Sequence, residues 1–542
     1  MHKIAIIADP HYHEVFPGYR FDGPDFDGKP MAAIRTRTDS AASTRIFNES
    51  YFAFPAVLDA CVKDGIKTIA IAGDLTDDGQ VATMDGALAL LQHYSETHGV
   101  RFFLTPGNHD VFAMSGRHHT KAFYTKDGGI ASVTSNRQLV QGEGAVLEER
   151  MFCRSYSDLA PLWAPYGIQR QEKDHYWECP FGVDDAFDKR MFEIASRDGS
   201  VIHRQLDLSY LVEPEPGLWL VAVDANVFEP RKGCKDGSHF DAVSDSTDAG
   251  WNSLVRLKPF VLDWLANVSA RAKIQGKTLV CFSHYPAIDT YDGTVADEDF
   301  LFGATQAVRR TPWTMTSNAV ARTGIGIHFS GHLHVADTST IEVDGTRLTN
   351  VALPSPVAFP PGFAVVTGDF RGVSADLRRV EFDRFDAFFP FYRNDAKADS
   401  SWIEASSYGQ FLYGHVAQLV RNRYLPHEWP TDLARVFNQA SLEDLFALAK
   451  IAEPVAAGDF VSQRVGGLSA IDLVVDWYAV RKGSEFALQF IPSNRLELYF
   501  KLIAEYGCRQ WADPACLQSQ VKLFLDMMAR YLGADATARE AV

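Results

Sequence analysis

One pattern recurs through the first 350 residues: a short, unbroken apolar run that ends abruptly in side chains able to bind a metal. Ile4-Ala5-Ile6-Ile7-Ala8 runs into Asp9-Pro10-His11, and Ile69-Ala70-Ile71-Ala72 into Gly73-Asp74. Phe102-Phe103-Leu104 runs into Pro106-Gly107-Asn108-His109-Asp110, and Leu279-Val280-Cys281-Phe282 into Ser283-His284. Ile325-Gly326-Ile327-His328-Phe329 leads to Gly331-His332-Leu333-His334. Continuous apolar runs of this length suit strands buried on both faces. Helical periodicity over residues 52–63, 83–98 and 254–273 separates several of them. The alternation predicts an α/β core with functional loops at the carboxyl ends of its strands.

Other stretches behave differently. Residues 112–216 show no strong period and are rich in aromatics and charge. They are expected to form an insertion beside the site, either a cap that shapes substrate access or a surface excursion. The Gly/Asp/Ser-rich stretch 226–250 is the candidate flap. Alternation over 339–343, 347–351 and 364–367 predicts closing strands. From about Ser400 the period turns helical. Leu412, Val416, Leu419 and Val420 make one stripe, Ser441-Leu442-Glu443-Asp444 has the form of a helix start, and helices are expected over 468–480, 496–506 and 521–531. The expected organisation is a catalytic domain over 1–375, a linker over 376–399 and an all-α domain over 400–542.

Composition narrows the chemistry. Lys plus Arg total 52 against 69 Asp plus Glu, a net charge of −17 over 542 residues. That balance disfavours nucleic acid as a partner, yet not a phosphorylated substrate, since bound metal ions can supply local positive charge. Seven scattered cysteines without a CxxC pair read as reduced thiols. The apolar run before Asp9 is too short for a secretion signal, and no later run approaches a membrane span. The expectation is a cytoplasmic protein with no membrane partner.

Each motif alone is a weak signal. Gly-Asn-His-Asp arises by chance in a chain of this length roughly three times in a thousand at average residue usage. The ordered set carries the weight: Asp-x-His, Gly-Asp-x-x-Asp, Gly-Asn-His-Asp, an isolated His, then Gly-His-x-His. This series resembles the calcineurin-like metallophosphoesterases over roughly residues 1–370. The resemblance implies a double β-sheet sandwich flanked by helices (αββα), here with a carboxy-terminal all-α domain. It also implies two divalent ions, Mn, Fe, Zn or Co, which suit carboxylate, imidazole and amide donors. Matched position by position, Asp74 would bridge the two metals. Asp9, His11 and His334 would hold one, and Asn108, His284 and His332 the other. His109 would be the general acid that protonates the departing oxygen, with Asp77 orienting it. A metal-bridging hydroxide would attack phosphorus in line. Gly73, Gly107 and Gly331 would permit the close turns.

The combination of Asp-x-His with Gly-Asn-His-Asp is similar to the bacterial cyclic-nucleotide phosphodiesterase branch, some of whose members append a helical bundle. That points to a small phosphodiester, including a cyclic nucleotide, as substrate. A phosphomonoesterase or nucleotidase is the alternative, and a scaffold on a phosphoesterase fold is the non-enzymatic one. The helical domain could serve partner docking or homo-oligomer formation. Outside the motifs, Asp110 and Asp224 read as structural, His13 as a residue of the solvent or substrate rim, and His118-His119 as a surface loop.

Overall fold

All six residues of the strand Leu218–Val223 are buried, and they divide by parity. Leu218, Leu220 and Ala222 face a core shared with Ile4, Ile6, Ile69 and Ile71. Trp219, Val221 and Val223 face a second core with Val261, Leu265, Val268 and Val320. In the computed structural model, which describes residues 1–143, 145–394, 401–462 and 467–533, this parity reflects two large sheets packed together. One runs in the order Gly372–Arg379, Gly362–Asp369, His2–Ile7, Thr68–Ala72, Arg101–Thr105, with the last three parallel. The other runs Asp337–Val343, Thr346–Ala352, Ile327–Ser330, Thr278–Ser283, Leu218–Val223, Tyr210–Glu215, Tyr176–Glu178. Its middle four strands, Thr346–Ala352 through Leu218–Val223, are parallel.

Helices cover the outer faces. Ser50–Lys63 and Val81–His98 follow the first two strands of one sheet. On the other side the helix expected over 254–273 is two helices, Gly250–Leu257 and Pro259–Gln275. Proline lacks an N–H and fits the first helical position, so Pro259 starts a new helix instead of continuing the old one. The result is the double sandwich flanked by helices, with a helical carboxy-terminal region.

Residues 112–216 do not stand apart from this frame. Their first part folds into a small sheet of Thr120–Tyr124, Ile130–Thr134 and Val146–Leu147. Their second part supplies Tyr176–Glu178 and Tyr210–Glu215 to the edge of the second large sheet. The aromatics that blurred the period are core: Tyr156, Trp163, Trp177 and Tyr210 are buried.

The stretch 376–399 carries the end of the strand Gly372–Arg379 and the helix Phe389–Arg393, with Phe388, Phe389 and Tyr392 buried; its residues 395–399 lie outside the described ones, as do 400, 463–466 and 534–542 of the helical region. That region includes Tyr408–Leu419, Leu442–Ala449, Ala470–Gly483, Ser493–Gly507 and Leu517–Tyr531. Ser441 and Asp444 form a reciprocal capping box at the expected helix start. The stripe Leu412, Val416, Leu419 and Val420 is buried in the apolar cluster that also fills the sandwich. Polar contacts cross the same junction. Arg481 makes two hydrogen bonds of 2.7 Å to Glu298, both side chains buried, and the Ala336 N–H donates to the Lys482 carbonyl at 2.8 Å.

Glu49 sits at this junction, fully buried, accepting a 2.7 Å hydrogen bond from the Tyr392 hydroxyl. Burial pushes its carboxyl up to about 7 from an ordinary 4.5. The folded chain therefore binds a proton more tightly than the unfolded one. The associated stability is complete below about pH 4.5 and is lost as pH rises through about 7. Glu49→Gln should match the wild type near pH 4.5 and exceed it by up to about 3 kcal/mol at pH 8, read by urea unfolding at both pH values. An unchanged gap across that range would mean that Glu49 is ionised in the fold.

Candidate metal centre

Parallel strands bring their carboxyl ends to one edge, and each apolar run delivers its polar residues there. The turns are tight. Asp9, His11, Asp74, His332 and His334 all adopt left-handed backbone, with φ of 53°, 42°, 50°, 71° and 52°. Such conformations are costly for non-glycine residues and persist where the surroundings fix them. Each loop is pinned by a carboxylate of another. The His109 N–H donates to Asp74 Oδ1 at 2.8 Å, and the His332 N–H to both Asp9 oxygens at 3.1 and 3.0 Å. Asp110 accepts from the N–H groups of Leu75, Thr76 and Gly107, tying two ligand loops together. The approach leaves no room at two glycines. A Cβ on Gly107 would lie 2.1 Å from Asp74 Oδ1, and one on Gly331 2.2 Å from Asp9 Oδ2.

The candidate ligands gather into two buried groups, Asp9 with His11 and His334, and Asp74 with His284 and His332, each with donor atoms within 4.8 Å of one another. Asp74 lies between the groups, its Oδ2 3.7 Å from His11 Nε2 and 3.3 Å from His284 Nε2. Asn108 joins the second group through Oδ1, 3.0 Å from His284 Nε2, while its amide donates to Thr247 Oγ1 at 3.2 Å. His284 Nδ1 donates to the Ala72 carbonyl at 3.2 Å, so the lone pair of Nε2 faces the centre.

The donor set fits a pair of cations. His11 Nε2 faces His334 Nε2, and His332 Nδ1 faces His284 Nε2, both at 3.1 Å. Burial drives the imidazoles of His11, His332 and His334 below their ordinary value, toward the neutral form that ligation requires. Burial would lower His284 as well, yet the Asp74 carboxylate lifts it to about 9. The pocket favours positive charge at its middle.

His109 stands beside this set, its ring 5.1 Å from that of His11. The structure corrects the identity of its partner. Nδ1 is hydrogen-bonded to Asp78 Oδ1 at 2.6 Å, not to Asp77. Asp77 is taken by cations: Arg35 at 3.1 Å, Arg45 at 2.9 Å, and Lys121. A carboxylate only accepts, so Nδ1 carries the proton and Nε2 is left for a reacting group. Burial would raise the Asp78 carboxyl, but the Lys121 ammonium at 2.6 Å and His109 hold it well below the usual range.

Other residues fall into place around the site. His13 is buried and bonded through Nε2 to the Ala33 carbonyl at 2.7 Å, so it belongs to the core and not to a rim. His119 is half-buried, within the electrostatic reach of Asp78. Asp224 accepts from the Tyr156 hydroxyl and the Leu208 N–H and lies near Lys258, a structural role. Sequence reasoning missed Asp78, Arg45, Lys121 and Thr247. Asp78 adjoins the Gly-Asp-x-x-Asp motif and was within reach of inspection. Arg45, Lys121 and Thr247 stand in no motif.

Three substitutions test the arrangement. Gly107→Ala should lower bound metal below two ions per chain with the far-ultraviolet circular dichroism unchanged, as measured by elemental analysis after dialysis. Asp78→Asn should slow turnover of an aryl phosphate ester by about 10- to 100-fold with metal content kept. Asp77→Asn should instead register as stability, about 3–5 kcal/mol in urea unfolding, because it strands buried cations.

No curated protein matches the chain. Among solved structures, a dimetal phosphatase from Danio rerio aligns at 13% identity over 70% of this chain and 96% of its own, with a TM-score of 0.36. A sulfate thiohydrolase from Thermus thermophilus aligns at 13% identity over 89% and 73%, TM-score 0.27. A phosphopantetheinyl hydrolase from Mycobacterium tuberculosis does so at 13% over 65% and 90%, TM-score 0.24. The calcineurin-like phosphoesterase family model matches residues 2–186. That span holds Asp9, His11, Asp74, Asn108 and His109, and the fold brings His284, His332 and His334 to the same place from beyond it. Over residues 2–186 the chain is thus similar to the calcineurin-like phosphoesterases, and the remaining candidate ligands come from beyond the matched span.

Proposed function

We propose that the protein is a dimetal phosphodiesterase acting on a small nucleotide, cyclic nucleotides included, or a related phosphodiester. One observation supports it most: His109, its Nδ1 proton fixed on Asp78, lies against a buried donor set split by Asp74 into two groups. Two divalent ions bound there would activate a water and neutralise phosphoryl charge, with Mn, Fe, Zn and Co all compatible with these donors. The protein's own part is to shape that pocket and, with His109 as the imidazolium held by Asp78 at Nδ1, to supply the Nε2 proton to the departing oxygen, leaving the neutral imidazole. Asp78 keeps the imidazole oriented, and Lys121 and Arg45 keep Asp78 charged.

The choice of diester over monoester rests on the pairing of Asp-x-His with Gly-Asn-His-Asp and on the appended helices. The seven free cysteines fit a reducing compartment, and we place the protein in the cytoplasm. No helix among the described residues is long and apolar enough to cross a membrane. The burial of the stripe at Leu412, Val416, Leu419 and Val420 favours a bracing role for the helical region over docking or homo-oligomer formation.

The test is hydrolysis of bis-p-nitrophenyl phosphate against p-nitrophenyl phosphate with Mn²⁺, then with chelator. The expected result is metal-dependent preference for the diester, with Asp74→Asn reduced more than about 100-fold, beyond the usual effect of an outer partner. Preference for the monoester would replace this reading with a phosphatase or nucleotidase. Inactivity with two ions bound would support a scaffold.

A further inference from the structure

Between the loop of His332 and His334 and the helical region lies a cavity of about 60 Å³. Four cations line it: Arg310, Arg423, Arg481 and Lys482. Three have carboxylate partners. Arg481 is clamped on Glu298 at 2.7 Å, Arg423 faces Glu428 at 3.4 Å, and Arg310 is held by Asp248 at 2.8 Å. Lys482 differs. It is only 5% exposed, and among the described residues its ammonium makes no hydrogen bond or ion pair. Its charge acts on His334 and shares its surroundings with Arg481, Arg423 and Glu428.

The position is built, not incidental. Lys482 lies in the last turn of the helix Ala470–Gly483, its carbonyl accepting from Ala336, two residues beyond His334 in the chain. The next residue, Gly483, packs so closely on Pro360 that a Cβ would sit 3.1 Å from its ring. Arg423 reaches the cavity from a π-helical turn, Val420–Tyr424, a form that often marks functional positions. Burial, with Arg481 and Arg423 beside it, pushes the Lys482 amine down to about 7, so a neighbouring anion would restore its charge. An anion is what the arrangement lacks.

Size limits what that anion can be. Pockets that enclose whole small molecules run to about 300 Å³ and above, whereas about 60 Å³ holds a few waters or a single oxyanion group. We propose that this cavity seats a second, non-reacting oxyanion of the substrate, a carboxylate or phosphate held by Lys482 with Arg423 beside it. The inference rests on the phosphoester-hydrolase reading above and sharpens it. The preferred substrate is a phosphoester that carries another anionic group within a few bonds of the scissile one, in place of a simple cyclic mononucleotide, which has only one.

Binding of non-hydrolysable phosphonates tests this without turnover. Phosphonoacetate, 3-phosphonopropionate and 4-phosphonobutyrate, each against its own carboxamide, are titrated calorimetrically into the Mn²⁺-loaded protein. At one chain length the acid should bind roughly 10- to 100-fold tighter than the amide, the range of a charged hydrogen bond. Lys482→Met should abolish that difference and leave the amide within about threefold, while Lys482→Arg keeps part of it. Lys482→Met should also unfold at the same or a higher temperature, since it relieves an unpaired buried amine. Equal affinity for acid and amide at every length would overturn the proposal. So would equal weakening of both by Lys482→Met, which would place the lysine on the metal-side phosphoryl group, or a lowered melting temperature with unchanged selectivity, which would make it structural. Because affinity is read, these outcomes are separate from any failure to hydrolyse diesters.

Discussion

Two carboxylates and four imidazoles share one buried space, and the rest of the molecule is arranged around holding them there. Left alone, Asp9 and Asp74 would repel one another, and the imidazole lone pairs would have nothing to meet. Parallel strands solve the first part by ending at a common edge. Left-handed turns at five of the candidate ligands solve the second by bending each side chain inward within four residues of its strand. The loops then brace one another, with backbone N–H groups of His109 and His332 on the carboxylates of Asp74 and Asp9. Gly107 and Gly331 stand where such bracing leaves no volume for a side chain.

The charges around His109 follow from this arrangement. Asp77 and Asp78 are adjacent in sequence, the first buried and the second largely so, and both require positive neighbours. Lys121 serves both, and Arg45 lies within reach of both. The division of labour between the two carboxylates is set by direction alone. One faces Arg35 and the interior, the other faces His109.

Much of this was legible because strand-end ligands are written as contiguous motifs. Asp9, His11, Asp74, Asn108, His284, His332 and His334 could be picked out since each follows an apolar run directly. The partner of His109 was misread because Asp77 and Asp78 differ by one position, and which of them turns toward the imidazole depends on cations contributed by remote segments. Lys121 comes from a stretch whose aromatic content hid its period, and Arg45 from a loop with no period at all. Lys482 was illegible for another reason. Its helix is buried nearly all round, so a lysine there looks in sequence like any residue near a helix end. Only the packing of that end on Ala336 and Pro360 gives it a place beside His334.

The contact between Ala336 and Lys482 also sets an order of events. The last candidate ligand, His334, and the residue that closes the neighbouring cavity are separated by about 150 residues of chain. At roughly 5–20 residues per second, a ribosome needs about 7–30 s to make that stretch. During that interval every candidate metal ligand has been synthesised while the helical side of the cavity, from Arg423 to Lys482, is still being made. The candidate ligands are therefore all made before the helical side of the cavity, and the proposed oxyanion seat is complete only when the helical region docks.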